Sequence, residues 1–210
     1  MRHVCLFQTM LIMLTVFMSG CRPHNTAILM ESYLLEASAP IQQQATTPVF
    51  AGVLKIRYCR ATPPFDGQLF LYKSADSRYE QDFYRQFLTP PNEQVAELLR
   101  IRMESSGLFD NVIPASSAVE PDYTLEPQLL AVYTDFSDAM APKTVMKVHV
   151  VLLHLNKNRQ NGTILLEKTY LRSETFTEKT GKSIIAGYNS GLENIFSQLI
   201  EDIREKGKSE

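Results

Sequence analysis

Several short groupings in this 210-residue chain combine residue types that could do chemistry. Thr180-Gly181-Lys182-Ser183 carries the last letters of a phosphate loop. The full pattern needs a glycine five residues before Gly181, where Phe176 stands, and no glycine-rich approach supplies N–H groups to surround a phosphate. The segment reads as a polar loop entering a helix. His149 and His154 lie five residues apart on a predicted strand, so their side chains leave from opposite faces and cannot share one metal ion. Cys59 alternates with Lys55 and Arg57, a cationic setting that lowers thiol pKa values; the competing reading is a half-buried strand residue. Glu201/Asp202 and Asp135/Asp138 read as solvated helix and loop positions rather than a tuned acid–base pair. There is no G-x-S-x-G elbow. Asn161-Gly162-Thr163 matches a glycosylation acceptor, but Asn-Gly is equally a hairpin turn, and the turn is the preferred reading. The expectation is a protein that is not an enzyme and uses neither metal nor cofactor.

Cys21 stands apart because of what precedes it. Arg2 and His3 make a short basic start, and Val4–Gly20 contains no formally charged residue. That run falls short of the roughly 20 apolar residues of a spanning helix and suits the apolar region of an export signal. Ser19 and Gly20 are small enough for a peptidase to reach the backbone. Met18-Ser19-Gly20-Cys21 resembles the lipobox of bacterial lipoproteins, with Met18 where Leu, Val or Ile is usual. The resemblance implies cleavage before Cys21 and three acyl chains on it. Each buried methylene contributes about 0.8 kcal/mol, so two or more chains anchor stably. Arg22 occupies the place where an aspartate would mark retention at the inner membrane, so the periplasmic face of the outer membrane is expected. Secretion with cleavage elsewhere and an uncleaved anchor are the competing readings. With Cys5 removed and Cys21 acylated, Cys59 has no mature partner, and no intramolecular disulfide is expected.

The chain must then position whatever it presents with a hydrophobic core. Its length suits one domain, and 44% apolar with 21% charged residues is ordinary for a globular protein. A formal charge of −2 gives no basic footprint, which argues against nucleic acid as a partner. Residues 1–20 are expected to be the signal, 21–30 a lipidated tether, 31–206 the domain and 207–210 a tail. Strands are predicted at 31–38, 53–61, 68–74, 77–83, 122–136, 144–155 and 163–176. In 53–61 the apolar set Leu54, Ile56 and Tyr58 marks the core face, and in 144–155 Met146, Val148, Val150 and Leu152 do so. A helix is predicted from Thr89 as cap and Pro90 as first residue, with Val95, Leu98, Leu99 and Met103 on one face. Gly107 suits its left-handed end, with Leu108 packing back on Met103. Lys182–Arg204 reads as a second helix with the stripe Ile185, Tyr188, Leu192, Ile195, Phe196, Leu199 and Ile203. The predicted fold is α+β, an antiparallel or mixed β-sheet with two helices packed on one face.

Between the second strand and the first helix, Leu71–Pro91 is dense in Tyr, Phe, Arg and Lys. Tyr72, Tyr79, Tyr84, Arg85 and Phe87 have interface composition and make a candidate docking surface. Aromatic core with solvated charges between is the equal alternative.

Four stretches, "YLLEA", "GQLFLYKSADSRYEQDFYRQFLTPP", "ELLRIRMESSGLFDNVIP" and "PDYTLEPQLLAVYTDFSD", together resemble the ABC-type transport auxiliary lipoproteins, the PqiC-like group. The resemblance spans about residues 31–205 in the order of that family's elements. Phe87 stands near where many members carry Trp, and this chain has none. The resemblance implies a non-catalytic subunit partnered by an MCE-type lipid-binding protein and an ABC permease/ATPase complex. Such systems move phospholipid or other apolar molecules across the periplasm. An adaptor for lipopolysaccharide or peptidoglycan assembly is the other function class that the same features allow.

Overall fold

The computed structural model describes residues 29–36, 47–155 and 162–208. The export segment, Cys21, most of the tether and the turn around Asn161 lie outside them. The described residues form a nine-stranded mixed sheet with two helices on one face. The strands are β1 (Glu31–Tyr33), β2 (Phe50–Ile56), β3 (Arg60–Ala61), β4 (Leu69–Lys73), β5 (Tyr79–Phe87), β6 (Phe109–Ile113), β7 (Tyr123–Asp135), β8 (Lys143–His154) and β9 (Thr163–Thr175). The helices are α1 (Pro91–Ser106) and α2 (Gly181–Gly207). This is the α+β class that the alternation patterns predict.

β7 organises the sheet. One edge pairs antiparallel with β8 along its whole length, and β8 pairs in turn with β9. The other edge is shared by three shorter strands, all parallel to it: β2 against Tyr123–Leu125, β3 against Gln128 and Leu129, β4 against Thr134 and Asp135. Beyond these lie β6, parallel to β2, and the antiparallel β5 with β1 along its far side. β6 falls in a stretch whose Asp110 and Asn111 conceal any alternation, and it is absent from the predicted elements.

The gap between β2 and β3 has a chemical cause. Leu125 O accepts the Arg57 N–H at 2.9 Å, and Leu129 O accepts the Thr62 N–H at 2.9 Å. Backbone groups alternate along a strand, so Pro127 also faces this edge, and it has no N–H to give. Proline inside a sheet is tolerated where the ladder is interrupted. Here the neighbouring chain leaves the ladder at residues 57–59. The alternation predicted over 53–61 therefore fails: Tyr58, expected in the core, is 73% exposed, while Cys59 turns inward to 5%.

The core lies between the sheet and the two helices. Met146, Val148, Val150 and Leu152 of β8 line it as predicted, with Leu125 and Leu129 of β7. Val95, Leu99 and Met103 of α1 are fully buried, and Leu98 is partly so. In α2 the predicted stripe is buried from Tyr188 to Ile203, but Ile184 rather than Ile185 begins it. α1 starts one residue later than predicted, with Pro91 in its first turn and no side chain capping it. Gln94 ties this end instead, accepting from the Leu35 N–H and donating to Thr89 O, each at 2.6 Å. Gly107 ends the helix at φ 63°, as expected, and Leu108 is buried in the same core as Met103.

Arg102 of α1 reaches Glu193 and, at 3.5 Å, Ser197 of α2. Arg102 Nε and Glu193 Oε2 are buried without a partner. Removing either partner strands the other's charge, whereas replacing both removes the desolvation cost as well. Urea unfolding should show Arg102→Leu or Glu193→Leu alone losing about 2–3 kcal/mol, and the double variant losing much less than their sum. Additive losses would show that the pair is not coupled.

Candidate docking surface

The structure divides the aromatic segment Leu71–Pro91 among three environments. Phe87 is 2% exposed and stacks into the core against Phe70 and Tyr188, so it offers no surface. Tyr72 is half-buried. Tyr79 packs edge-on against Tyr133 and Phe65, where the loop after β3 covers one end of the open sheet face. Tyr79 nonetheless keeps 43% of its surface exposed, Tyr84 50% and the Arg85 side chain 30%, and Phe83, which the sequence reading passes over, is more exposed than any of them.

A large bulge exposes Phe83 and Tyr84. Leu69 pairs with Gln86 and Leu71 with Gln81, so Phe70 alone stands against Asp82–Arg85. Bulges bend a strand and re-aim its side chains. Asp82, 6% exposed, holds the bulge together. Its carboxylate accepts from the Tyr72 hydroxyl, from the Tyr84 N–H at 2.7 Å and from Arg85 Nη1 at 3.2 Å. Arg85 Nε then donates to Glu31 Oε2 on β1 at 3.2 Å, which also accepts from the Tyr33 hydroxyl at 2.6 Å. That Tyr33 hydrogen bond, joined by Arg85, holds the Glu31 carboxyl below its ordinary range. Burial, followed by the Asp82 contact, pushes the Tyr72 hydroxyl pKa up, so it stays a donor. One buried carboxylate thus fixes three strands and turns Phe83 and Tyr84 outward. The sequence signal is there in hindsight: Asp82-Phe83-Tyr84-Arg85 breaks the alternation that precedes it.

A recess of about 480 Å³ opens at the β2–β3 gap, against the first turns of α1. Ile56, Tyr58, Cys59, Ala96, Pro114 and Ala115 give it apolar walls. Among its polar neighbours, Asn92 Nδ2 donates to Cys59 O at 2.9 Å, and Arg100 pairs with Glu97 and Glu104. Cys59 does not share a face with Lys55, whose Nζ donates to Ser117 O at 3.0 Å. Burial pushes its thiol up to about 12, the opposite of the lowering that a cationic strand face would bring. The recess is a hydrophobic pocket without an activated nucleophile.

The other candidates take structural places. Thr180 caps α2, accepting the Ser183 N–H at 3.2 Å, as a loop entering a helix should. Gly181 is required there because a Cβ would fall 2.1 Å from the Tyr33 hydroxyl. His149 bonds Thr169 Oγ1 at 3.0 Å, and His154 stacks on Tyr123. Two carboxylates expected in solvent are instead engaged. Asp202 accepts from Lys168 at 2.7 Å and the Tyr170 hydroxyl at 2.6 Å, and the largely buried Asp135 pairs with Lys73 at 3.5 Å. Glu201 pairs with Arg204, and Asp138 accepts the Met140 N–H at 2.9 Å. Among the described residues no three metal-ligating side chains converge, and no helix is long and apolar enough to cross a membrane.

No family model and no curated protein matches the chain. Solved structures do resemble it. A Xanthomonas campestris protein of the family model DUF330 matches over 86% of this chain and 97% of its own, with a TM-score of 0.67 at 14% identity. An uncharacterized protein matches over 83% and 99%, at 0.64 and 12%. A hypothetical protein of Chlamydia trachomatis matches over 77% and 100%, at 0.53 and 10%. At these identities the likeness is one of fold.

Two outcomes follow. Asp82→Ala leaves the Tyr72 hydroxyl, the Tyr84 N–H and Arg85 short of an acceptor and should cost about 2–3 kcal/mol. Amide exchange should accelerate at residues 83–86 first; unchanged protection there would remove Asp82 from its organising role. In a Cys5→Ser/Cys21→Ser background, Cys59 should resist a thiol reagent at pH 9, where a free thiol is largely ionised. Asn92→Ala should speed that reaction; equally slow labelling would show that Asn92 does not hold the gap shut.

Proposed function

We propose that this chain is a lipid-anchored envelope protein. Export and cleavage leave acyl chains on Cys21, and the folded domain serves without catalysis as an auxiliary subunit of an ABC/MCE-type transporter for phospholipid or other apolar molecules. The observation that carries the reading is where the family-like stretches fall. Gly67–Pro91, Glu97–Pro114 and Pro121–Asp138 coincide with the β4–β5 hairpin, the α1–β6 unit and the β7 spine, the framework of the sheet. The fold built on that framework is shared with a DUF330 protein over nearly all of that protein's length, which supports the resemblance.

The reading also needs a route to the envelope, and Met1–Cys21 supplies one: a basic start, an uncharged apolar run, two small residues and a cysteine. An anchored auxiliary subunit acts by holding a partner near a membrane, so its chemistry is recognition. The partners are an MCE-type substrate-binding protein and the ABC permease/ATPase complex, and the location is the periplasmic face of the outer membrane.

Metabolic labelling with an alkyne fatty acid should mark the wild-type chain and leave Cys21→Ser unmarked, with the variant moving from the membrane to the soluble fraction. A labelled, membrane-bound variant would overturn the anchor. Affinity purification from membranes should recover MCE-type or ABC subunits. Consistent recovery of peptidoglycan synthases or lipopolysaccharide-insertion proteins instead would replace transport with envelope assembly.

A further inference from the structure

The two strands farthest from the β7 spine on this side of the sheet carry an apolar surface that none of the described residues covers. Leu29, Met30, Leu34, Phe83, Tyr84 and Leu88 are exposed, from 49% at Leu34 to 83% at Leu29. They are not scattered. β1 and β5 run parallel, with Glu31, Ser32 and Tyr33 opposite Arg85, Gln86 and Phe87. Tyr33 and Phe87 look into the core, so Ser32 and Gln86 look outward, joined by a 3.1 Å hydrogen bond. By the same two-residue period, Met30 and Tyr84 share the outward side just before the ladder, and Leu34 and Leu88 share it just after. Leu29 and Phe83 each stand one residue before that first pair, out of phase with the outward side, and Phe83 lies within the bulge. The result is an apolar stripe along the sheet edge, crossed by one polar rung.

Its position in the chain says what it meets. Leu29 is eight residues from Cys21, a span that reaches at most about 28 Å when fully extended. A domain of this size is about 40 Å across, so such a leash cannot let its far side face the membrane in place of the near one. The membrane holding the acyl chains must pass within about 28 Å of Leu29, at the end of the sheet where the stripe begins. The charge is compatible: residues 21–30 include Arg22 and no acidic residue, which suits an anionic lipid surface. Glu31, the first carboxylate after the leash, is engaged by Tyr33 and Arg85.

We infer that the outward side of the β1–β5 edge rests on the lipid bilayer in which Cys21 is anchored, with Met30, Leu34 and Leu88 entering its interface. The inference depends on the anchor proposed above. The domain is then held in one orientation by two attachments, a covalent one and a noncovalent one, with the opposite edge of the sheet, at β6, turned away.

The absence of native Trp gives a clean test. Full-length protein is purified from membranes, its acyl chains are verified by mass, and it is reconstituted in phosphatidylethanolamine/phosphatidylglycerol vesicles with or without brominated acyl chains. Leu88→Trp and Leu34→Trp, both at exposed positions that tolerate substitution, are compared with Val119→Trp beyond the opposite sheet edge. Side chains sitting roughly 5–10 Å into the interface should show blue-shifted emission and about a twofold loss with brominated lipid, while Val119→Trp stays unquenched. Emission at 88 and 34 as solvent-exposed as at 119, in acylated protein, overturns the inference and leaves the anchor standing. Blue-shifted but unquenched emission that depends on protein concentration, or that arises only when a transport subunit is added, assigns the stripe to a second copy or to that subunit and equally overturns it. Protein lacking acyl chains overturns the anchor together with the inference.

Discussion

A hydrogen bond that cannot form shapes the centre of this molecule. Pro127 lies in the middle of the longest shared strand and faces the edge along which β2, β3 and β4 attach. Without its N–H the parallel ladder cannot run unbroken, and the chain opposite leaves the sheet for three residues. From that interruption follow the outward Tyr58, the inward Cys59, the Asn92 hydrogen bond that closes the free Cys59 carbonyl, and the apolar recess against α1. Splitting one edge among three short strands also lets β2 and β4 each take a side neighbour of its own, which is how β6 and the β5–β1 pair join a single sheet.

The parts legible in the sequence were those governed by a single period. Val95, Leu99 and Met103 announce α1, the run from Tyr188 to Ile203 announces α2, and alternate residues of β8 announce the core face, because burial on one side leaves a regular trace. Legibility was lost where a second chain decides the outcome. Tyr58 follows the alternation of its own strand, yet its position is set by a proline about seventy residues later. Asp110 and Asn111 hide β6, whose existence depends on the free edge of β2. The order of the strands depends on parallel pairing between distant segments, which no local pattern encodes.

The surface shows the same division. Composition pointed to Leu71–Pro91 as aromatic and polar, and both of its readings apply: Phe87 and Tyr72 belong to the interior, while Tyr84 is displayed. What sorted them is the Asp82 carboxylate, buried because it finds a hydroxyl, a backbone N–H and a guanidinium together. A buried charge with fewer partners would be too costly to keep. Phe83 is exposed as a consequence of that arrangement, and its own hydrophobicity would suggest the reverse.

The dependence of β2, β3 and β4 on β7 also has a temporal side. Each of these strands emerges from the ribosome before its partner exists, and Glu31 must wait for Arg85, as Leu54 must wait for Tyr123. Tyr33 must wait longer still for the helix start at Gly181 that packs over it. Such non-local pairing slows folding, because loop closure must come before any contact rewards it. The strands that attach to β7 therefore cannot complete their pairing until well over half of the polypeptide has been made. It remains threadable during synthesis, and its architecture is completed by its last helix.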